Sequence, residues 1–174
     1  MSTEKIMLKG TLIFLIREGE VLLAVKGRKI GAGSWNGYGG GLELGETVRE
    51  CASRELKAES GLVTDPSKLI KMAVVDFHNT TSDGEKFTCR VHVFFAYEWQ
   101  GYPKSTVEML TPKWFSIANL PLHKLMLADP DWLPTVLAGQ KIFGEVFYGP
   151  KQETKLAPTI IRTATDEELI ELEK

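Results

Sequence analysis

GGLELGETVRECASRELKAESGL, residues 40–62, holds the signals that decide the fold. Thr47 followed three residues later by Glu50 is a capping box: the hydroxyl accepts one free helix N–H, and the carboxylate reaches back to the cap. Gly61 suits the left-handed residue that closes a helix. Between them Val48, Cys51, Ala52 and Leu56 recur at helical spacing and make an apolar stripe fit to dock on a sheet. Glu55 and Glu59, four apart, fall on one face about 6 Å apart along the axis. Two like charges so placed weaken a bare helix slightly, and a divalent cation between them removes that cost. A solvated acidic face is the plainer reading of the same pair.

Immediately upstream, residues 27–41 (GRKIGAGSWNGYGGG) contain seven glycines. At that density no regular element is expected, because each glycine costs backbone entropy. The stretch reads either as a loop whose backbone approaches a ligand or as a flexible connection, with Trp35 and Tyr38 pinning it to the body. Residues 6–17 and 20–26 read as a hairpin turning at Glu18-Gly19. A second, longer hairpin is expected from 69–77 and 87–99, with Asp83-Gly84 as its strongest turn signal. Residues 113–116, 141–148 and 159–162 read as further strands, and 130–140 as a helix weakened by Pro134. Residues 165–173 read as a short packing or frayed helix. Hairpins mixed with a loop–helix crossover predict an α/β fold with a mixed sheet and helices on its faces.

The 174 residues fit one domain with a sizeable core. A net charge of −2 supplies no broad basic field, so a duplex nucleic acid is not an expected partner. No apolar run is long enough to span a membrane. Glu4 and Lys5 precede the first apolar run, and no signal segment is expected. Two cysteines, Cys51 and Cys89, without metal-ligand spacing, suit buried reduced thiols and a cytoplasmic location. His78, His92 and His123 are scattered and give no zinc pattern.

Gly40, Glu46, Arg54, Glu55, Leu56, Glu59, Gly61 and Leu62 stand at the spacings of the Nudix box, and the chain resembles the Nudix hydrolases. One position departs: Ala58 stands where the family carries a further glutamate. The resemblance continues through Thr11, GAGSWNGYGG (31–40), VHVFF (91–95), Glu108-Met109, WF (114–115) and Trp132-Leu133-Pro134. These look like MutT-type members that hydrolyse oxidised purine nucleotides such as 8-oxo-dGTP. The last 24 residues, about 151–174, match less well and read as a C-terminal extension of a single Nudix domain.

The resemblance implies an α/β/α sandwich around a curved mixed sheet. It also implies a nucleoside triphosphate pyrophosphohydrolase dependent on Mg²⁺, or Mn²⁺, that releases nucleoside monophosphate and pyrophosphate. The implied metal ligands are Gly40, Glu55, Glu59 and Glu108, with Glu108 a ligand or a base. Arg54 is expected to orient a catalytic glutamate through a bidentate pair, Glu46 to cap the loop, and Gly39 and Gly40 to meet phosphate. Thr11, Asn36, Met126, Asp129 and Trp132 are the implied substrate contacts. Met126 stands where the subfamily has a stacking tryptophan, and Ala128 replaces the first of two base-reading aspartates. Read without the resemblance, Asn36 is a turn residue, Asp129 a helix N-cap, Glu108 an exposed loop acid and Trp132 a core or rim aromatic. Two other functions stay open. One is hydrolysis of another diphosphate, such as a nucleotide sugar, a dinucleoside polyphosphate or a capped RNA end. The other is a catalytically weakened nucleotide-binding module, for which Ala58 speaks.

Overall fold

The computed structural model describes residues 7–174. Ile6, expected in the opening strand, lies outside them, as do Glu4 and Lys5. The first hairpin forms as expected, with β1 at Lys9–Arg17 and β2 at Glu20–Lys26. Glu18 and Gly19 both take positive φ, 40° and 77°, as the tightest hairpin turns require.

The glycine-rich stretch corrects the expectation of no regular element. It contains β3 (Trp35–Asn36), paired with β2, and β4 (Tyr38–Gly41), paired antiparallel with β1. The entropic cost of glycine stands, but here strand pairing offsets it, and two of the glycines are sterically required by what packs on them. A Cβ on Gly39 would lie 1.9 Å from the Thr11 carbonyl oxygen, and one on Gly40 would lie 2.6 Å from the Glu55 carboxyl carbon. Trp35 packs edge-on against Phe115, with ring centroids 4.8 Å apart, and Tyr38 is fully buried.

Next comes helix α1, Val48–Ser60, with both halves of the Thr47/Glu50 capping box formed and Gly61 left-handed at φ 80°. The long hairpin is β5 (Ile70–Thr80) and β6 (Lys86–Ala96), and β7 spans Met109–Ser116. Helix α2 is Asp129–Leu137, followed by β8 (Ile142–Phe147), β9 (Ile160–Thr163) and α3 (Asp166–Glu171). The N-cap of α2 is Ala128, not Asp129, and no side chain caps it.

Among the described residues the strands join one mixed sheet in the order β3-β2-β1-β6-β5-β8-β9, with β4 branching onto β1 and β7 onto β2. The β1/β6 and β5/β8 pairs are parallel. Such central strands are covered on both sides, and β1 accordingly reads as a nearly continuous apolar run. Ile13 and Leu15 pack with Phe94 and with Val48, Ala52 and Leu56 of α1. Phe14 and Ile16 point the other way, into a cluster with Val93, Val75 and Trp132, Leu133 and Val136 of α2. Leu169 of α3 packs on Val74, whose side chain faces opposite to Ala73 and Val75, so α3 lies on the α1 side. The result is an α/β/α sandwich. Among the described residues no helix is long and apolar enough to cross a membrane.

Candidate active site

The site is assembled where β4 runs beside the middle and last turns of α1. The Gly39 N–H donates to Glu59 Oε1 at 3.0 Å, and the missing side chain of Gly40 makes room for the Glu55 carboxylate. Arg54 gathers the surrounding groups. Its Nε and Nη2 hold Glu46 at 2.6 and 3.0 Å, its Nη1 holds Glu55 at 2.7 Å, and Nη2 also donates to the Gly41 carbonyl at 3.1 Å. The two-pronged pair expected between Arg54 and a catalytic glutamate thus goes to Glu46, and Glu55 receives a single bond. The guanidinium holds the Glu46 carboxyl below the usual range. Glu46 also accepts from the Glu43 N–H at 3.0 Å, which fastens the loop into α1.

Glu59 behaves differently. Burial pushes its carboxyl up to about 7, the charges of Glu55 and Glu108 add to that, and the Gly39 N–H opposes it. Glu108 sits just before β7 and is held by Arg28, whose Nε donates at 2.8 Å and which keeps that carboxyl low. The ammonium of Lys26, at the end of β2, lies in the field of Glu59, Asp129 and Glu108, with its pKa lowered mainly by burial. Its electrostatic position joins the acids of α1 to the segment leading into α2. Lys26 escaped the sequence reading. The available signal was a lone cation ending the apolar run EVLLAVK.

The segment leading into α2 closes over the glycine-rich stretch. Leu125 bridges to Trp35, and the Met126 sulfur fills the space beside Gly31, where a Cβ would meet it at 2.1 Å. Asp129 is buried, accepts from Trp132 Nε1 at 3.2 Å, and has its carboxyl raised to about 7, chiefly by burial. Asn36 accepts the Gly37 N–H through Oδ1 at 2.8 Å, which is the turn-stabilising role, and its amide donors meet no acceptor among the described residues.

Two further expected substrate contacts are buried within the sandwich. Thr11 is turned toward α1, where its hydroxyl meets Cys51 Sγ at 3.4 Å, because it shares the strand face of Ile13 and Leu15. Its neighbour Leu12 packs on the α2 side instead. Trp132 is fully buried in the core and touches the site through its bond to Asp129.

The NUDIX domain profile matches residues 8–136. The chain belongs to the Nudix family of hydrolases, which act on phosphoanhydride bonds. It is 38% identical over 144 residues to the oxidized purine nucleoside triphosphate hydrolase of Danio rerio, covering 83% of this chain and 86% of that protein. The Mus musculus protein of the same name is 36% identical over 157 residues, covering 90% and 94%. Among solved structures, the mutator MutT protein of Bacillus halodurans superposes with a TM-score of 0.73 over 88% of this chain and 96% of that one, at 22% identity.

Nudix hydrolases generally use divalent cations. The donors present suit one. Glu55 and Glu59 bring two carboxylates against the Gly39–Gly40 backbone, and the raised carboxyl of Glu59 marks negative charge crowded into a partly dry place. Among the described residues no group of three or more Asp, Glu, His or Cys side chains converges as a closed metal cage. Mg²⁺ needs no such cage, since it takes one or two carboxylates and completes its shell with water and substrate phosphates.

Proposed function

We propose that this Nudix hydrolase is a Mg²⁺-dependent nucleoside triphosphate pyrophosphohydrolase that acts on purine nucleotides, oxidised ones such as 8-oxo-dGTP included. The observation that carries the reading is the pair Glu55 and Glu59 set against Gly39 and Gly40, with Asn36 in the glycine-rich stretch and Asp129 just past the segment that closes over it. The similarity to two oxidized purine nucleoside triphosphate hydrolases over most of both chains supports the substrate class.

Glu55, Glu59 and the Gly40 carbonyl would hold the cation, with Mn²⁺ a competent substitute and Glu108 available once Arg28 lets it go. When bound, the cation neutralises phosphate charge and acidifies a water for attack on phosphorus. Arg54 keeps Glu55 aimed, and Glu46 keeps Arg54 aimed. Burial raises the Glu59 carboxyl, and a cation bound there would draw it back down and keep Glu59 ionised as a ligand. Lys26 presents positive charge toward the polyphosphate. Asn36 offers amide donors and Asp129 a buried carboxyl to a base edge, while the Met126 thioether contacts an aromatic face. The products are nucleoside monophosphate and pyrophosphate. Two buried free thiols favour a reducing, cytoplasmic setting.

The experiment is a panel of oxidised and ordinary purine triphosphates, nucleotide sugars and dinucleoside polyphosphates, each with Mg²⁺ and with chelator. Pyrophosphate release from purine triphosphates, abolished by chelator, is the expected result. Preferred cleavage of a nucleotide sugar would overturn the substrate class. One observation favours a weaker enzyme: Ala58 is exposed on α1 beside Glu59, so the carboxylate it replaces is missing from an accessible position. Tight nucleotide binding with no turnover, restored by Ala58→Glu, would establish that reading.

A further inference from the structure

We infer that Tyr148 is a positioning residue for substrate selection: its phenol oxygen holds the turn that carries the buried Asp129. The inference rests on the reading that this side of the cleft receives the base.

Tyr148 follows β8, which lies across the sheet from the glycine-rich stretch. Its ring is fully buried and stacks on Phe77, with centroids 6.2 Å apart and planes 7° apart. Phe77 in turn meets Trp132 edge-on at 6.4 Å. The ring therefore cannot swing without disturbing the core under α2. From that fixed place the phenol oxygen accepts the Ala128 N–H at 2.8 Å.

Ala128 is itself fully buried, and it is the N-cap of α2. A helix start leaves several N–H groups without partners, and a capping side chain usually answers one of them. Alanine has no such side chain. The tyrosine, just past β8, supplies an acceptor to the cap residue itself. Asp129 is the next residue, and its carboxyl is steadied by Trp132 Nε1. Two bonds, from Tyr148 and Trp132, thus fix the backbone and the side chain of the same short turn. Both anchors belong to the rigid cluster beneath α2. By contrast Leu125 and Met126, just upstream, are tied to the glycine-rich stretch. The turn at Ala128 is therefore where the segment over the cleft is referenced to the sheet.

Phenylalanine at 148 keeps the ring stacking and removes only the acceptor. With the acceptor gone, the buried Ala128 N–H has no partner and the turn opens more often. Amide exchange at 125–129 in Tyr148→Phe should quicken about tenfold or more, while β5 and β6 keep their wild-type protection. KM for a purine triphosphate should rise about tenfold with kcat within twofold, and cleavage of inorganic tripolyphosphate, which has no base, should be unchanged. Unaltered exchange at 125–129, or exchange quickened equally in β5 and β6, overturns the inference. So does an equal loss on tripolyphosphate, or a fall in kcat at constant KM. Tyr148→Leu, which also removes the stack, should lower the melting temperature well beyond the phenylalanine variant; equal losses would deny the hydroxyl a role of its own. The exchange measurement needs no substrate. If the wild-type protein cleaves no purine triphosphate, the proposed function fails while the anchoring of the turn is still decided.

Discussion

The two walls of the proposed site, one for phosphate and one for the base, are built on opposite plans. On the phosphate wall, Glu46, Arg54, Glu55 and Glu59 come from 14 consecutive residues, and their partners, Gly39 to Gly41, lie just upstream. Every one of these side chains is bonded to another group of the same wall. On the base wall, Asn36, Met126 and Asp129 come from segments about ninety residues apart in the chain, and Asp129 and its turn are steadied by Trp132 and Tyr148 of the core. A local wall carries its own geometry in its spacing. A wall gathered from distant segments depends on the packing beneath it, so substitutions there should act on affinity and on stability together.

The largest effect separating the walls is expected from Glu59→Gln. It should lower kcat by about a thousandfold or more with KM little changed, as removal of a metal-bearing carboxylate does. Its melting temperature should stay level or rise, because burial beside Glu55 already disfavours the charge. Arg54→Ala comes next. It leaves Glu46 without its fork and the Gly41 carbonyl without a donor, so thermal unfolding should show a loss of about 1–3 kcal/mol alongside reduced turnover. On the base wall, Asn36→Ala should raise KM for purine triphosphates about tenfold and spare kcat, as loss of a ground-state contact does. Equal changes in kcat and KM for variants on both walls would erase the distinction.

Unfolding as a function of pH sharpens the comparison, because each face of the sheet has a buried group that titrates out of place. His92, on the α1 side, is held neutral by burial and by the adjacent Lys71, whose Nζ is 2.7 Å from its Nδ1; its pKa falls to about 3. The unfolded chain takes that proton near 6.5, so stability is lost as pH falls from about 6.5 toward 3. Asp129, on the base wall, keeps its proton up to about 7 in the fold against 3.8 unfolded, so its contribution is lost as pH rises through that window. His92→Leu and Asp129→Asn should therefore change the slope of urea stability against pH with opposite signs, each by up to about 1.4 kcal/mol per pH unit. The smallest effect is expected from Ala58→Glu. This exposed position accepts the side chain without repacking, and turnover should rise a few-fold at limiting Mg²⁺.

The same division explains what the sequence disclosed. The capping box at Thr47 and Glu50, the stop at Gly61 and the stripe of α1 act within one or two turns, so spacing alone placed them. The long hairpin was legible from its apolar runs and its turn, though β5 and β7 start or end several residues from where composition suggested. Glycine-rich β4 was not legible, because its strand state comes from pairing with β1 and from the acids packed on it. The direction of Thr11 depends on which face of β1 meets α1, a choice made by packing. Trp132, by sequence a core or rim aromatic or a lining of the pocket, lies in the core. The tail read as a packing or frayed helix. It packs through Leu169, and beyond it Glu173 pairs with Arg49 of α1 at 2.9 Å, a contact across 124 residues that no local pattern announces.

The central claim is that Glu55 and Glu59 grip a divalent cation beside the polyphosphate. Paramagnetic broadening of backbone amide signals by Mn²⁺, added to the isotopically labelled protein with a non-hydrolysable purine triphosphate, tests it most directly. Broadening that begins at Gly39, Gly40, Glu55 and Glu59 at substoichiometric Mn²⁺, and disappears from them in Glu59→Gln, is the predicted result. Broadening that begins elsewhere, or that persists at those amides in the variant, would contradict it.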